Sequence, residues 1–122
     1  MRARAVHVVS VATLLTVAAV LPAAADVIEG TDGPDRLSGT AQRDTIRGYD
    51  GRDLRHGRAG DDILRSGRGH DVLYGGPGTD LLFPGKDGWT DDRVYGGSGE
   101  DTVIWLEGEA FESKGCERVL TP

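Results

Sequence analysis

Between residues 30 and 104 an inward-pointing apolar place returns every nine residues, filled by Leu37, Ile46, Leu64, Leu73, Leu82, Val94 and Val103, with Arg55 at the one position that breaks the series. The residues around each of these places are too few for a helix. A three-residue segment suits a short strand that turns one side chain inward and its two neighbours outward. The predicted elements are therefore eight short strands joined by turns, and Val27 and Ile28 add a partial strand before them. Stacked at a fixed period, seven aliphatic side chains make a thin core, the mark of a solenoid rather than a globular interior. At Arg55 two arrangements fit: the stem packs while the guanidinium escapes to solvent, or Leu54 takes the inward place through a local slip. Burying an unpaired guanidinium is costly, and the first arrangement is expected.

Two residues ahead of every apolar place stands an Asp: Asp35, Asp44, Asp53, Asp62, Asp71, Asp80, Asp92 and Asp101. Gly precedes it at the first place of the repeat in six copies and at the fourth place in six, or seven if Gly88 fills that place in the lengthened copy. Gly there permits positive φ and close backbone approach, so successive carbonyls can curl toward one point. An oxygen-rich turn closed by a carboxylate suits a hard cation such as calcium, which takes six to eight oxygens at roughly 2.3–2.6 Å.

The segments GGPGTDLLF (75–83) and GGSGEDTVI (96–104) match the hemolysin-type calcium-binding repeat, the RTX nonapeptide G-G-x-G-x-D-x-U-x, at every defined place, and the whole stretch 30–104 resembles that family. The resemblance implies an all-β fold, a parallel β-roll with two repeats to a turn and so about four turns, and the tail after it reads as a C-terminal capping strand. It implies Ca2+ held between Gly-rich loops of neighbouring turns by backbone oxygens and the eight Asp carboxylates. The glycines carried over to those loops are Gly30, Gly33, Gly48, Gly51, Gly57, Gly60, Gly67, Gly69, Gly75, Gly76, Gly78, Gly96, Gly97 and Gly99. With two repeats to a turn, four loops stack on each side and leave at most six calcium sites, of which about four are expected to be well formed. Repeats 30–38 and 39–47 are weaker copies, with Thr31 and Thr40 at the second place and Gln42 at the fourth, so the Asp44 site is the least expected to form.

The chain divides into three by composition. Residues 1–25 have the order of a secretory signal peptide: a basic start with Arg2 and Arg4, an apolar run from Ala5 to Leu21, and Ala23-Ala24-Ala25 before an expected cleavage at Asp26. Residues 26–104 form the roll, and 105–122 form a cap in which Trp105, Phe111 and Val119 close the last turn. The ending Gly115 to Val119 is similar to the ends of small secreted actinobacterial proteins of this type. Cleavage predicts a secreted, extracellular product with no membrane span. Cys116, the single Cys, is then either a thiol buried in the cap, which is favoured, or an intermolecular link.

Charge sharpens the picture. The chain carries −6 overall, and loss of Arg2 and Arg4 leaves 12 basic against 20 acidic residues, or −8. Such a chain, acidic and poor in large side chains, buries too little to fold unaided, and bound cations supply what the core lacks. The acidic balance gives no reason to expect nucleic acid as a partner. His56 and His70 stand at outward places without zinc spacing, and no serine has a nucleophile-elbow context, so no catalysis is expected. Tyr74, Phe83 and Tyr95 at the ninth place predict an outer aromatic row. The three extra residues of the 84–95 repeat, with Lys86, Asp87, Gly88 and Trp89, predict a projecting loop, and Trp89 there either contacts a partner or folds back over the stack. The alternative to a purely structural or partner-binding role is a solenoid that binds a carbohydrate or cell-envelope ligand through this loop.

Overall fold

The computed structural model describes residues 6–8, 25–85, 92–105, 111–116 and 118–120, the first group and 111–112 by their backbone. Twelve strands are present among them: β1 (Val6–Val8), β2 (Val27–Glu29), β3 (Arg36–Ser38), β4 (Thr45–Asp50), β5 (Leu54–His56), β6 (Ile63–Arg68), β7 (Val72–Tyr74), β8 (Leu81–Phe83), β9 (Asp92–Tyr95), β10 (Thr102–Ile104), β11 (Phe111–Lys114) and β12 (Arg118–Leu120). They alternate between two parallel sheets, one ordered β1-β2-β4-β6-β8-β10-β12 and the other β11-β9-β7-β5-β3. From β2 onward each strand therefore pairs with the strand after next, and the chain winds as an all-β parallel solenoid of about four turns.

Register shows why the period is nine. Ile28 pairs with Ile46, Ile46 with Leu64 and Leu64 with Leu82 in one sheet, while Leu37, Arg55, Leu73 and Val94 align in the other. The step between partners is two repeats. Across the lengthened 84–95 repeat the register is kept, with Tyr74 paired to Tyr95 and Leu82 to Val103. A slip of one residue would turn every aliphatic side chain outward, so the buried row fixes the register.

The core is that row: Ile28, Leu37, Ile46, Leu64, Leu73, Leu82, Val94 and Val103 are all buried. Each fully buried aliphatic contributes roughly 1.5–3 kcal/mol. Arg55 stands in the same row with no exposed surface at all, its guanidinium inside the roll. The expectation that its head escapes to solvent is therefore corrected: the head finds carboxylates within the turn, and Leu54 stays half-buried at its regular place.

Three further expectations change. Tyr74 and Tyr95 stack at 4.7 Å on the outside of one sheet, but the third member of that row is His56, stacked on Tyr74 at 4.6 Å. Phe83 belongs to β8 on the other sheet, where the Arg65 guanidinium lies 5.0 Å from its ring centre. After the last repeat there are two strands, β11 and β12, which continue the sheets by pairing with β9 and β10. Trp105 and Cys116 pack against the core, whereas Val119 and Leu120 are half exposed at the edge and do not close the stack. At the opposite end β1, within the expected leader, lies parallel to β2 with Val6, His7 and Val8 facing Val27, Ile28 and Glu29. The Lys86 to Trp89 insertion lies outside the described residues. Among those described, no helix is long and apolar enough to cross a membrane.

Candidate metal centre

All eight Asp side chains of the repeat are buried, between 0% and 3% exposed. A buried carboxylate needs partners, and the winding supplies the same one at each turn. The backbone N–H of Asp35 donates to Oδ1 of Asp53, Asp53 to Asp71, and Asp71 to Asp92 on one side. On the other side Asp26 donates to Asp44, Asp44 to Asp62, Asp62 to Asp80, and Asp80 to Asp101, with distances from 2.8 to 3.0 Å. From Asp44 onward, Oδ1 of each Asp thus fastens its turn to the one before it.

Oδ2 points elsewhere, toward the first-place residue of its own turn. A Cβ placed on Gly57 would stand 2.5 Å from Asp62 Oδ2 and 2.6 Å from the carbonyl oxygen of Gly75. At Gly75 the same point faces Asp80 Oδ2 and the Gly96 carbonyl, and at Gly30 it faces Asp35 Oδ2 and the Gly48 carbonyl. The first place is Gly because two oxygens from adjacent turns converge where a side chain would begin. Further along each loop Gly51, Gly60, Gly69, Gly78 and Gly99 at the fourth place, and Gly67, Gly76 and Gly97 at the second, have left-handed φ. Tyr49 and Arg58 hold the same conformation at the second place, at φ of 71° and 73°, which the loop imposes against their side chains.

The converging oxygens do not all have the same neighbours. Oδ2 of Asp35 accepts from the Thr31 N–H and hydroxyl, and Oδ2 of Asp44 accepts from those of Thr40. Oδ2 of Asp53 accepts from Arg55 Nη2 at 2.6 Å, and the same nitrogen donates to the Ser66 carbonyl at 2.8 Å and lies 3.7 Å from Asp71 Oδ1. Nε and Nη1 of Arg55 and the Ser66 hydroxyl are buried without a protein partner. Oδ2 of Asp62 and of Asp80 is also buried without one.

Electrostatics follow that division. Burial pushes the carboxyls of Asp62 and Asp80 up to about 7, helped by the next Asp along the stack and opposed by the backbone N–H of the previous turn. Burial also raises Asp53, against the pull of the Asp35 N–H and Arg55. Arg55 is lowered by burial and held up by Asp71, Asp53 and Asp92. His56, outside the core, is lowered by partial burial and by Arg58 and Arg36.

These donors suit one kind of ion. Among the described residues no three His, Cys, Asp or Glu side chains gather as a ligand set. A cation here would draw on one carboxylate per turn and on backbone carbonyls, the all-oxygen set of a hard ion such as calcium rather than the nitrogen and sulfur set of zinc. The orphaned Oδ2 atoms of Asp62 and Asp80 fit such an ion.

The family model of the RTX calcium-binding nonapeptide repeat matches four copies in this chain, over residues 23–54, 56–88 and 86–103. The chain belongs to the RTX calcium-binding repeat family. Comparison with curated proteins and with solved structures gives no match. RTX nonapeptide repeats are calcium-binding, so Ca2+ is the ion to which the turns of this roll answer.

As RTX turns, the loops gather the expected residues in two stacks. Asp35, Asp53, Asp71 and Asp92 lie on one side, and Asp44, Asp62, Asp80 and Asp101 on the other. Among the fourth-place glycines Gly33 is apart, since it has no left-handed φ and its loop closes through Thr31. Sequence reasoning missed Thr31, Thr40 and Arg55 as partners of the Asp set, and the Ser66 carbonyl as the second acceptor for Arg55. A signal for the threonines was available, because both stand four residues before their Asp, in reach of a side chain that folds back over a tight turn.

Proposed function

We propose that this chain is a secreted calcium-binding β-roll that folds as calcium enters between its turns and serves as a structural or partner-binding protein outside the cell. The observation that carries this is the pair Asp62 and Asp80, whose Oδ2 atoms are buried and unpartnered at points where a carbonyl of the next turn also converges. Unpaired oxygens at such points repel one another, and a dication between them turns the repulsion into coordination. Asp71, Asp92 and Asp101 complete the ligand set in the turns around them. Residues 1–25 are a leader removed before Asp26, which supports an extracellular setting where calcium is plentiful. Extracellular calcium modules commonly bind at roughly 10⁻⁴–10⁻³ M, so the chain stays open in a low-calcium cytosol and closes after export. This reading assigns no catalysis, because the buried Asp set is committed to holding the turns.

A far-UV circular dichroism titration with calcium, with magnesium as control, tests the reading. Strand signal should rise with calcium and not with magnesium. Full strand signal and an unchanged melting temperature in excess chelator would reduce calcium to a surface ligand and end the proposal.

A further inference from the structure

Three of the buried carboxylates already have what calcium would supply. Thr31 and Thr40 close the Asp35 and Asp44 turns with an N–H and a hydroxyl each, and neither turn uses a left-handed residue at its second or fourth place. At the third turn Arg55 does something different. Its Nη2 stands at the place of the missing Cβ of Gly48, the point where Asp53 Oδ2 and the carbonyl of the next turn converge, and it bonds to both. In the Gly57 and Gly75 turns the equivalent point is lined by the same two kinds of oxygen and holds no protein donor.

We propose that the Arg55 guanidinium is a built-in cation that takes the place of one calcium ion, so that the roll consists of a metal-independent part, residues 26–56, and a calcium-dependent part, residues 57–104, that winds onto it. This rests on the reading of Asp62 and Asp80 as calcium ligands. Two considerations support it. A fixed positive charge bonded to both oxygens fills the space of a dication and repels any that approaches. An aliphatic side chain would pack the core row without stranding Nε and Nη1, so what Arg55 adds over leucine is charge at that point. The arrangement gives calcium-driven folding a direction: β2 to β5 are in register beforehand and offer the edges on which β6 and β7 pair when calcium arrives.

Equilibrium dialysis of the full chain against calcium, together with hydrogen exchange in chelator, tests this. Arg55→Leu should bind one calcium more per chain than the unsubstituted protein, while Arg55→Lys, which keeps a cation, should leave the count unchanged. In chelator, amides of 26–56 should exchange at least about tenfold more slowly than those of 57–104. An equal count in Arg55→Leu and the unsubstituted chain, or equal exchange of the two segments, overturns the proposal while leaving calcium binding intact. No calcium bound by the unsubstituted chain removes the underlying reading as well. Should Arg55→Leu fail to fold, the exchange contrast in the unsubstituted protein decides by itself.

Discussion

The backbone N–H of Asp62 donates to Oδ1 of Asp80 at 2.8 Å, while Oδ2 of both residues is buried with no protein partner. One carboxylate therefore has two duties on two oxygens, joining turns through Oδ1 and presenting Oδ2 to a cation. The two can be separated by substitution. Asp80→Asn keeps an oxygen for the Asp62 N–H and loses the charge, so it should raise the calcium midpoint about tenfold, equivalent to about 1.4 kcal/mol, with little loss of calcium-saturated strand signal. Asp44→Asn should change the midpoint far less, because Thr40 already satisfies Asp44 Oδ2. Equal midpoint shifts in the two variants would argue against a special role for Asp80.

Acidity should compete with calcium. Asp62 and Asp80 are raised by burial to about 7 from 3.8, so each is protonated in the metal-free fold over a range where it is ionised in the unfolded chain. Their contribution to the metal-free fold is fully present below about pH 4 and is lost as pH rises through about 7. Calcium must displace those protons, so its midpoint should fall as pH increases from 6 to 8. Calcium titrations at the two pH values, with strand signal in chelator recorded alongside, check both signs.

Space at the first place of the repeat is the third test. Gly75 does not have left-handed φ, yet a Cβ there would run into Asp80 Oδ2 and the Gly96 carbonyl. Gly75→Ala should therefore weaken calcium binding and lower the melting temperature of the saturated protein. Gly33→Ala, whose Cβ would meet only the Thr31 hydroxyl at 3.7 Å, should stay within about 0.5 kcal/mol of the parent. A neutral Gly75→Ala would show that the converging oxygens can move apart freely.

Processing is testable by intact mass. A secreted product should begin at Asp26, whose nitrogen lies 3.0 Å from Asp44 Oδ1. Retention of the apolar 5–21 segment in the membrane fraction would defeat both the cleavage site and the extracellular assignment.

The sequence alone determined the strands, the turns and the row of Asp, because a solenoid repeats one local solution and a nine-residue period writes that solution out in full. Leu64, Asp62 and Gly57 could be assigned inward, loop-closing and turn-forming from their places in the repeat. The partners of exceptional residues were decided by tertiary structure. Arg55 looked bound for solvent because nothing beside it in the chain except Asp53 could hold a guanidinium, and winding brought Asp71 and the Ser66 carbonyl to it from the next turn. Phe83 seemed to join Tyr74 and Tyr95, but successive repeats fall on opposite sheets, so a residue nine places away is across the roll and His56, eighteen places before Tyr74, is the neighbour. Local chemistry fixes what each turn offers, and only the stacking of turns decides which offers are already taken and which are left for calcium.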